Sequence, residues 1–195
     1  MRQELLGKNK TIEYLKKFHQ MIQSWSFQKL GTRLENMIKA ILACDETWGI
    51  GKDGDMPWPH NSADLKWFKE KTIGGVVVMG KTTWDSLPFK PLKERQNLIV
   101  TSSKLEPGIT DYQFVKFSDI KEKLFKISEA KDIWVIGGAK LIEGLLDSIS
   151  EFHLSQITGV YNCDTFLPKE LIKESYFLTR SNKFDGLSID IWCKK

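Results

Sequence analysis

The run Val76-Val77-Val78-Met79, apolar at every position and followed at once by Gly80-Lys81-Thr82-Thr83, most constrains what this chain can fold into. A strand with one face in water alternates apolar and polar residues. A strand without alternation is buried on both faces, as at the centre of a parallel sheet covered by helices. Five more runs of strand length lie at Ile38–Ala43, Leu98–Thr101, Phe114–Phe117, Ile133–Ile136 and Phe152–Ile157, with helical patterns over 62–71, 82–87, 118–128 and 139–147. A closing pair, Tyr176–Arg180 and Leu187–Trp192, flanks Asn182-Lys183-Phe184-Asp185-Gly186. Alternation of Ile189 and Ile191 with Asp190 and Trp192 suits an antiparallel edge hairpin. The order predicts an α/β fold: a mostly parallel central sheet, helices on both faces and an antiparallel C-terminal hairpin.

At 195 residues the chain suits one domain with a full core. Its net charge of +4 sits in residues 1–36, which hold seven Lys/Arg and three Asp/Glu; residues 37–195 hold 22 of each. The main body therefore has no gross bias toward nucleic acid or a membrane surface. Ile12, Leu15, Phe18, Ile22 and Trp25 or Phe27 recur at helical spacing, so residues 1–36 read as an amphipathic helical extension. The main domain is placed at 37–195. The extension could dock, assemble or bind a partner, or reflect the choice of start codon. Three cysteines without metal-ligand spacing fit a reducing cytosol, and a cytoplasmic monomer is expected. No apolar run approaches the roughly 20 residues that span a bilayer.

Gly49-Ile50-Gly51-Lys52-Asp53-Gly54 satisfies the G-x-G-x-x-G pattern but leads into Asp55-Met56-Pro57-Trp58-Pro59. Two prolines so placed forbid the helix whose N-terminal amides would face a pyrophosphate. A glycine-rich loop that covers a site is the better reading. Better anion sites stand where Val76–Met79 meets Gly80-Lys81 and where Ile133–Ile136 meets Gly137-Gly138-Ala139-Lys140. Each offers backbone N–H groups and a lysine at the carboxyl end of a parallel strand. A third strand end, Thr101-Ser102-Ser103-Lys104, adds hydroxyls and another lysine. Ordinary turn chemistry explains any one of the three; together they point to a polyphosphate ligand.

Asp64, in Ala63-Asp64-Leu65-Lys66-Trp67-Phe68-Lys69, shares a helix surface with Leu65 and Phe68. Read locally, Asn61 is an N-cap and Asp64 a first-turn acid. Read with its apolar neighbours, the carboxylate is placed to hold a basic group or assist a proton transfer. His60 and His153 have no metal-site surroundings, and no metal is expected.

Residues 37–195 closely resemble dihydrofolate reductase. The matching strings are Trp48-Gly49-Ile50-Gly51, Met56-Pro57-Trp58, Ala63–Lys69, Met79-Gly80-Lys81-Thr82-Thr83-Trp84-Asp85-Ser86, Pro91-Leu92 with Arg95, Val135-Ile136-Gly137-Gly138 and Asp164-Thr165. The resemblance implies NADPH-dependent reduction of dihydrofolate to tetrahydrofolate, in support of one-carbon metabolism and thymidylate synthesis. It implies that Asp64 hydrogen-bonds the pterin, that Trp58 positions a water and that Ser155 supplies a hydroxyl behind the aspartate. Ile41, Leu42, Ala43, Leu65, Phe68, Leu92 and Ile136 would line the pocket, and Arg95 would hold the α-carboxylate of the glutamate tail. Ala43, Ile50, Met56, Ile136, Leu141 and Thr165 would adjoin the cofactor. Gly80, Lys81, Thr82, Thr83, Thr101, Ser102, Ser103, Gly137, Gly138, Ala139 and Lys140 would hold it along its length. Lys81 with Ser102 would take the 2′-phosphate, and Gly137-Gly138 would carry a cis peptide.

Three departures from the family pattern stand out. Pro59-His60-Asn61-Ser62 and Leu87-Pro88-Phe89-Lys90 each carry one extra residue, and Ile142 replaces a tyrosine found in many members. Two other functions compete: a pyrimidine reductase of riboflavin synthesis, and a non-catalytic pteridine-binding protein. Arg95 and the Met56-Pro57-Trp58 and Asp64 set argue against the first.

Overall fold

A computed structural model describes residues 38–102, 111–128 and 130–195. The extension at 1–36, Ser103 and Lys104 lie outside the described residues. Eight strands form one sheet: β1 (Ile38–Cys44), β3 (Val76–Gly80), β4 (Gln96–Thr101), β5 (Tyr112–Lys116), β6 (Ile133–Gly137), β7 (Glu151–Ile157), β9 (Tyr176–Phe184) and β10 (Leu187–Lys194). Their lateral order is β5-β4-β3-β6-β1-β7-β10-β9. The pairings from β5 through β7 are parallel, and β10 runs antiparallel to both its neighbours. Two short strands, β2 (Gly49–Gly51) and β8 (Thr165–Phe166), pair separately.

The non-alternating run behaves as its composition requires. Val76, Val77, Val78 and Met79 are all 0% exposed. Among the described residues five helices flank the sheet: α1 (Ser62–Thr72), α2 (Lys81–Ser86), α3 (Ile120–Ile127), α4 (Ala139–Leu145) and α5 (Lys169–Ser175). Val76 and Val78 pack on one face with α3, α4 and α5; Val77 and Met79 pack on the other with Trp67 and Phe68 of α1 and Trp84 of α2. Helices therefore cover both faces of the parallel half, where burial of each large apolar side chain contributes about 1.5–3 kcal/mol.

The C-terminal pair differs from its sequence reading in one respect. Alternation in β10 was the expected mark of an edge strand, yet β10 lies between β7 and β9. Its Leu187, Ile189 and Ile191 are buried while the residues between are half-exposed. Alternation reports one covered face and says nothing of lateral neighbours. The edge is β9, exposed at every position after Tyr176. Pairing continues to Phe184↔Leu187, so only Asp185-Gly186 forms the turn, with Gly186 at φ 75°. The α5 helix and the β2–β8 pair had no clear periodic signal; both are too short to show one.

Candidate active site

Helix α1 begins as its sequence suggests: the Asn61 side-chain oxygen accepts from Ala63 N at 3.1 Å and Asp64 N at 3.2 Å. Capping thus falls to Asn61, and the Asp64 carboxylate is not spent on it. Burial pushes the Asp64 pKa up, and the nearby Ser155 hydroxyl partly opposes the shift. No salt bridge reaches Asp64 among the described residues. Ser155 lies on β7 opposite Ala43 of β1, is 1% exposed, and its Oγ has no hydrogen-bond partner among the described residues. The hydroxyl is near enough to favour the charged acid without bonding to it directly. An unpartnered buried hydroxyl beside an unpaired acid is costly unless a third group satisfies both.

The far end of α1 carries the second feature. Thr72 Oγ1 donates to Phe68 O at 2.7 Å and accepts from Arg95 Nε at 2.8 Å, and the Arg95 guanidinium lies 5.8 Å from the centre of the Phe68 ring. Arg95 Nη1 also donates to Lys93 O at 2.9 Å. From Asp64 to Thr72 the helix rises by roughly 12 Å. An acid at one end and a cation at the other, joined by the half-buried Phe68 and the exposed Leu65, suit an elongated molecule with a basic head and an acidic tail. Leu92 packs in the same cluster as Phe68, Ile41 and Ile136. Burial lowers the Arg95 pKa, with the charge of Glu94 opposing.

The two strand-end turns lie side by side. Met79 is in register with Gly137, and a Cβ added at Gly80 would stand 3.6 Å from Gly138 N. A Cβ at Gly137 would meet Leu42 at 3.4 Å and Thr83 Oγ1 at 3.5 Å, and Gly137 has φ 121°. Neither α2 nor α4 has a side-chain cap at its glycine N-cap. Helix starts of this kind, with glycine at the N-cap, suit the approach of an anion, in a cradle that side chains would fill. Lys81 Nζ bonds both oxygens of Asp85, at 2.7 and 2.8 Å, so a phosphate there would compete with an i,i+4 pair. Thr101 is buried, while Ser102 and Lys140 are exposed at the same end of the sheet. The Gly137–Gly138 peptide is cis, as is Lys90–Pro91.

The glycine-rich segment after β1 forms a tethered turn and no helix. Asp53 (φ 52°) and Gly54 (φ 84°) close it, Lys52 N and Asp55 O bond at 2.8 Å, and Asp53 N donates to Asp164 Oδ2 at 2.7 Å. Met56 is exposed; Trp58 is buried against Ile157, Leu187 and Ile189, with Tyr161 edge-on at 6.0 Å. Ile142, at the family's tyrosine position, is 0% exposed in the core.

Two residues missed by sequence reasoning support this region. Asp45 Oδ1 accepts from Thr47 N, Thr47 Oγ1 and Gly49 N at 2.7–2.9 Å, and Oδ2 accepts from Tyr161 N at 3.1 Å and the Cys163 thiol at 3.6 Å. Asn97 accepts from Leu92 N and donates to the carbonyls of Leu92, Arg95 and Asp111. The Asp45-Glu46-Thr47 turn was a readable signal; nothing local marks Asn97. Of the cysteines, Cys44 is buried, with its thiol pushed up to about 12 chiefly by burial. Among the described residues no group of His, Cys, Asp and Glu side chains is placed to hold a metal ion, and no helix is long and apolar enough to cross a membrane.

Comparisons with known proteins point to one family. The dihydrofolate reductase family model matches residues 37–187. The chain is 34% identical over 143 residues to the type 8 dihydrofolate reductase of Escherichia coli, covering 70% of this chain and 84% of that protein. It is 31% identical over 156 residues to the Sus scrofa dihydrofolate reductase, covering 72% and 83%. A solved structure of Enterococcus faecalis dihydrofolate reductase complexed with NADP(H) and RAB-propyl is similar at a TM-score of 0.71 and 26% identity, covering 82% of this chain and 97% of that one.

Proposed function

The chain belongs to the dihydrofolate reductase family, and from that premise we propose that it reduces 7,8-dihydrofolate to tetrahydrofolate with NADPH, the pterin gripped by Asp64. The carrying observation is the pairing of a half-buried acid that no salt bridge reaches among the described residues with the buried, unsatisfied Ser155 hydroxyl. A pterin's 2-amino group and ring N–H donate two hydrogen bonds, which a carboxylate accepts side by side. Those bonds favour the anion and so reverse the upward push that burial gives the empty site.

Ser155 stands to accept from the same amino edge or to donate to the Asp64 carboxylate. The p-aminobenzoyl stem then runs along Phe68 and Leu92 toward Arg95, which takes the α-carboxylate. Ile41, Leu42, Ala43, Leu65 and Ile136 complete the walls. Gly80, Gly137 and Gly138 with the first turns of α2 and α4 would hold the cofactor's phosphates. Thr82, Thr83, Ala139, Lys140 and Leu141 adjoin that cradle in sequence. Lys81 with Ser102 would select the 2′-phosphate; Ser103 belongs to the same reading but lies outside the described residues. Ile50, Met56 and Thr165 border the cofactor, beside the tethered turn at 52–55.

When bound, NADPH supplies the hydride that reaches C6 of the substrate. The chain's own part is orientation and a proton for N5. Asp64 polarises the ring through N3 and the amino group, and Trp58 positions the water that delivers the proton. The protein acts as a monomer, and residues 1–36 are dispensable for turnover.

Loss of NADPH absorbance on adding dihydrofolate is the first test; folate binding without turnover would favour the pteridine-binding alternative. Arg95→Gln should raise KM for dihydrofolate by about tenfold or more while leaving the Kd of NADPH alone, since hydrogen bonds to a charged group contribute about 1.5–3 kcal/mol. An unchanged KM would remove Arg95 from the substrate site.

A further inference from the structure

His153 is a buried titratable group with no part in the hydride or proton transfer. It lies on β7 between Ile41 of β1 and Ile191 of β10 and is 3% exposed. Its Nε2 meets Glu151 Oε1, two residues back on the same face of the strand. An ionised carboxylate only accepts, so Nε2 carries the proton and neutral His153 leaves a bare lone pair on Nδ1. Two indoles enclose the ring. Trp67 of α1 stacks on it at 5.6 Å and 27°, and Trp134 of β6 meets it edge-on at 5.1 Å and 88°. His153 Nδ1, Trp67 Nε1 and Trp134 Nε1 are all buried without a partner among the described residues.

The stack stands one rung along from the candidate active site. Asp64 and Trp67 are three residues apart and share a face of α1; Ser155 and His153 are two apart and share a face of β7. Asp64 thus stands by Ser155 as Trp67 stands on His153. Trp67 also packs against two apolar clusters, one holding Trp58 and Ile157, the other Ile41, Phe68 and Leu92. Its seat sets where the first two turns of α1 lie on the sheet.

We propose that His153, oriented by Glu151, is a positioning residue for the reaction: in its neutral form it seats Trp67, and through Trp67 it holds Asp64 beside Ser155. The inference rests on the reading that Asp64 grips the pterin. Protonation would undo the seat. An imidazolium turns Nδ1 into a donor, and the indoles beside it are donors too, so a charge and an unsatisfied N–H would both be buried. The titratable and charged groups around the ring come from every neighbouring element. They are Glu151 on its own strand, Lys39 of β1, Asp64 and Lys71 of α1, and Cys193 of β10, whose thiol reaches Glu151 Oε2 at 4.0 Å. Arg180 of β9 lies one strand farther, in register with Ile191. Lys71 Nζ is 4.4 Å from the centre of the Trp67 ring and Lys39 Nζ 5.3 Å from that of Trp134. Burial pushes the His153 pKa down; the bond and charge of Glu151 oppose this, and the two lysines add to it. The ring is neutral above that lowered value and charged below it, so the seat holds at neutral pH.

The test follows kcat/KM for dihydrofolate from neutral to acid pH beside a proton NMR titration of the His153 ring, assigned by its absence from His153→Phe. Phenylalanine keeps a ring against Trp67 and cannot titrate. Asp64 is present in both proteins, so the ratio of parent to His153→Phe cancels its titration and reports the imidazole. That ratio should be level at neutral pH and fall by about three- to tenfold across the ring's own titration, since small misplacements of a catalytic group are costly. Glu151→Gln should move both midpoints to lower pH together, because the carboxylate favours the imidazolium. His153→Ala should lower kcat/KM by about tenfold at neutral pH with the Kd of NADPH unchanged, and His153→Phe should recover most of that loss. A flat ratio, a kinetic break that ignores the ring's midpoint, or a folded and fully active His153→Ala would overturn the seat. If the alanine variant does not fold, the phenylalanine and glutamine comparisons decide. Absence of turnover at every pH, or a kcat indifferent to Asp64→Asn, would instead overturn the reading beneath it.

Discussion

Two aspartates of this molecule are buried in opposite senses. Asp45 is sealed: loop backbone wraps it to 0% exposure. Asp64 is open: it is half-buried in the first turn of α1 and keeps solvent access. Their electrostatics follow from what surrounds them. Burial pushes Asp45 up, but donors from Thr47, Tyr161 and Gly49 outweigh it and hold the carboxyl below its ordinary range. At Asp64 burial is opposed only by Ser155, and the acid is held above that range. A carboxylate whose needs are met by its own chain is part of the framework. One whose needs are left unmet is waiting for a ligand.

The contrast breaks first on turnover. Asp64→Asn should lower kcat at neutral pH by about 10²–10⁴-fold, the usual range for losing a group that assists proton transfer, with the Kd of NADPH nearly unchanged. Asp45→Asn should lower kcat by less than about tenfold, as the side chain faces loop amides and no substrate. Comparable losses from both would erase the distinction. A diaminopteridine inhibitor, whose protonated ring pairs with a carboxylate, should lose affinity for Asp64→Asn and keep it for Asp45→Asn.

Stability should reverse the ranking. Asparagine at position 45 keeps one acceptor and brings an N–H₂ toward donors at Tyr161 N and the Cys163 thiol. Leaving buried donors unpaired costs about 1–3 kcal/mol, so the denaturation midpoint of Asp45→Asn should drop clearly. Cys163 packs closely on Gly49, where an added Cβ would lie 2.4 Å from the Cys163 Cβ. An Asp45→Asn protein as stable as the parent would mean the loop can reorganise around a neutral amide.

Legibility in the sequence divides along the same line. Val76–Met79 and the glycine turns were readable because apolar periodicity and turn chemistry act over a few neighbours. The place of Asp64 in the first turn of a helix capped by Asn61 was readable from its neighbours. The edge role of β9 was not readable, because lateral order in a sheet is set by pairings between distant segments. Asn97, and the far half of the Asp45 cluster beyond its readable turn, were hidden for a related reason. Their partners at Asp111 and Tyr161 lie 14 and 116 residues away, and only the folded chain brings them together. Lys81 is the opposite case: its sequence position suggests an anion-binding cation, yet the i,i+4 spacing to Asp85 also encodes the pair that forms.

The smallest expected effect is a difference in slope, and it carries a sign. The Asp64 pKa is raised on folding, so the folded state holds its proton more tightly than the unfolded chain. Linkage then makes that acid a liability that is absent below the ordinary carboxylate pKa and grows as pH rises through the folded value. Asp64→Asn should therefore make the ligand-free protein more stable at neutral pH, with the gain vanishing in acid. Asp45 runs the other way: its pKa is lowered, so its contribution is present above the ordinary value and is lost as pH falls through the folded one. Urea melts of the parent and both variants between neutral and acid pH should show the two variants approaching the parent from opposite sides. Asp64→Asn starts above the parent and converges on it, while Asp45→Asn starts below and closes the gap as acid removes the parent's advantage. If dihydrofolate or an inhibitor is bound, the first difference should invert, since ligand hydrogen bonds now reward the charged Asp64; a gain that persisted with ligand present would show that the acid does not touch it.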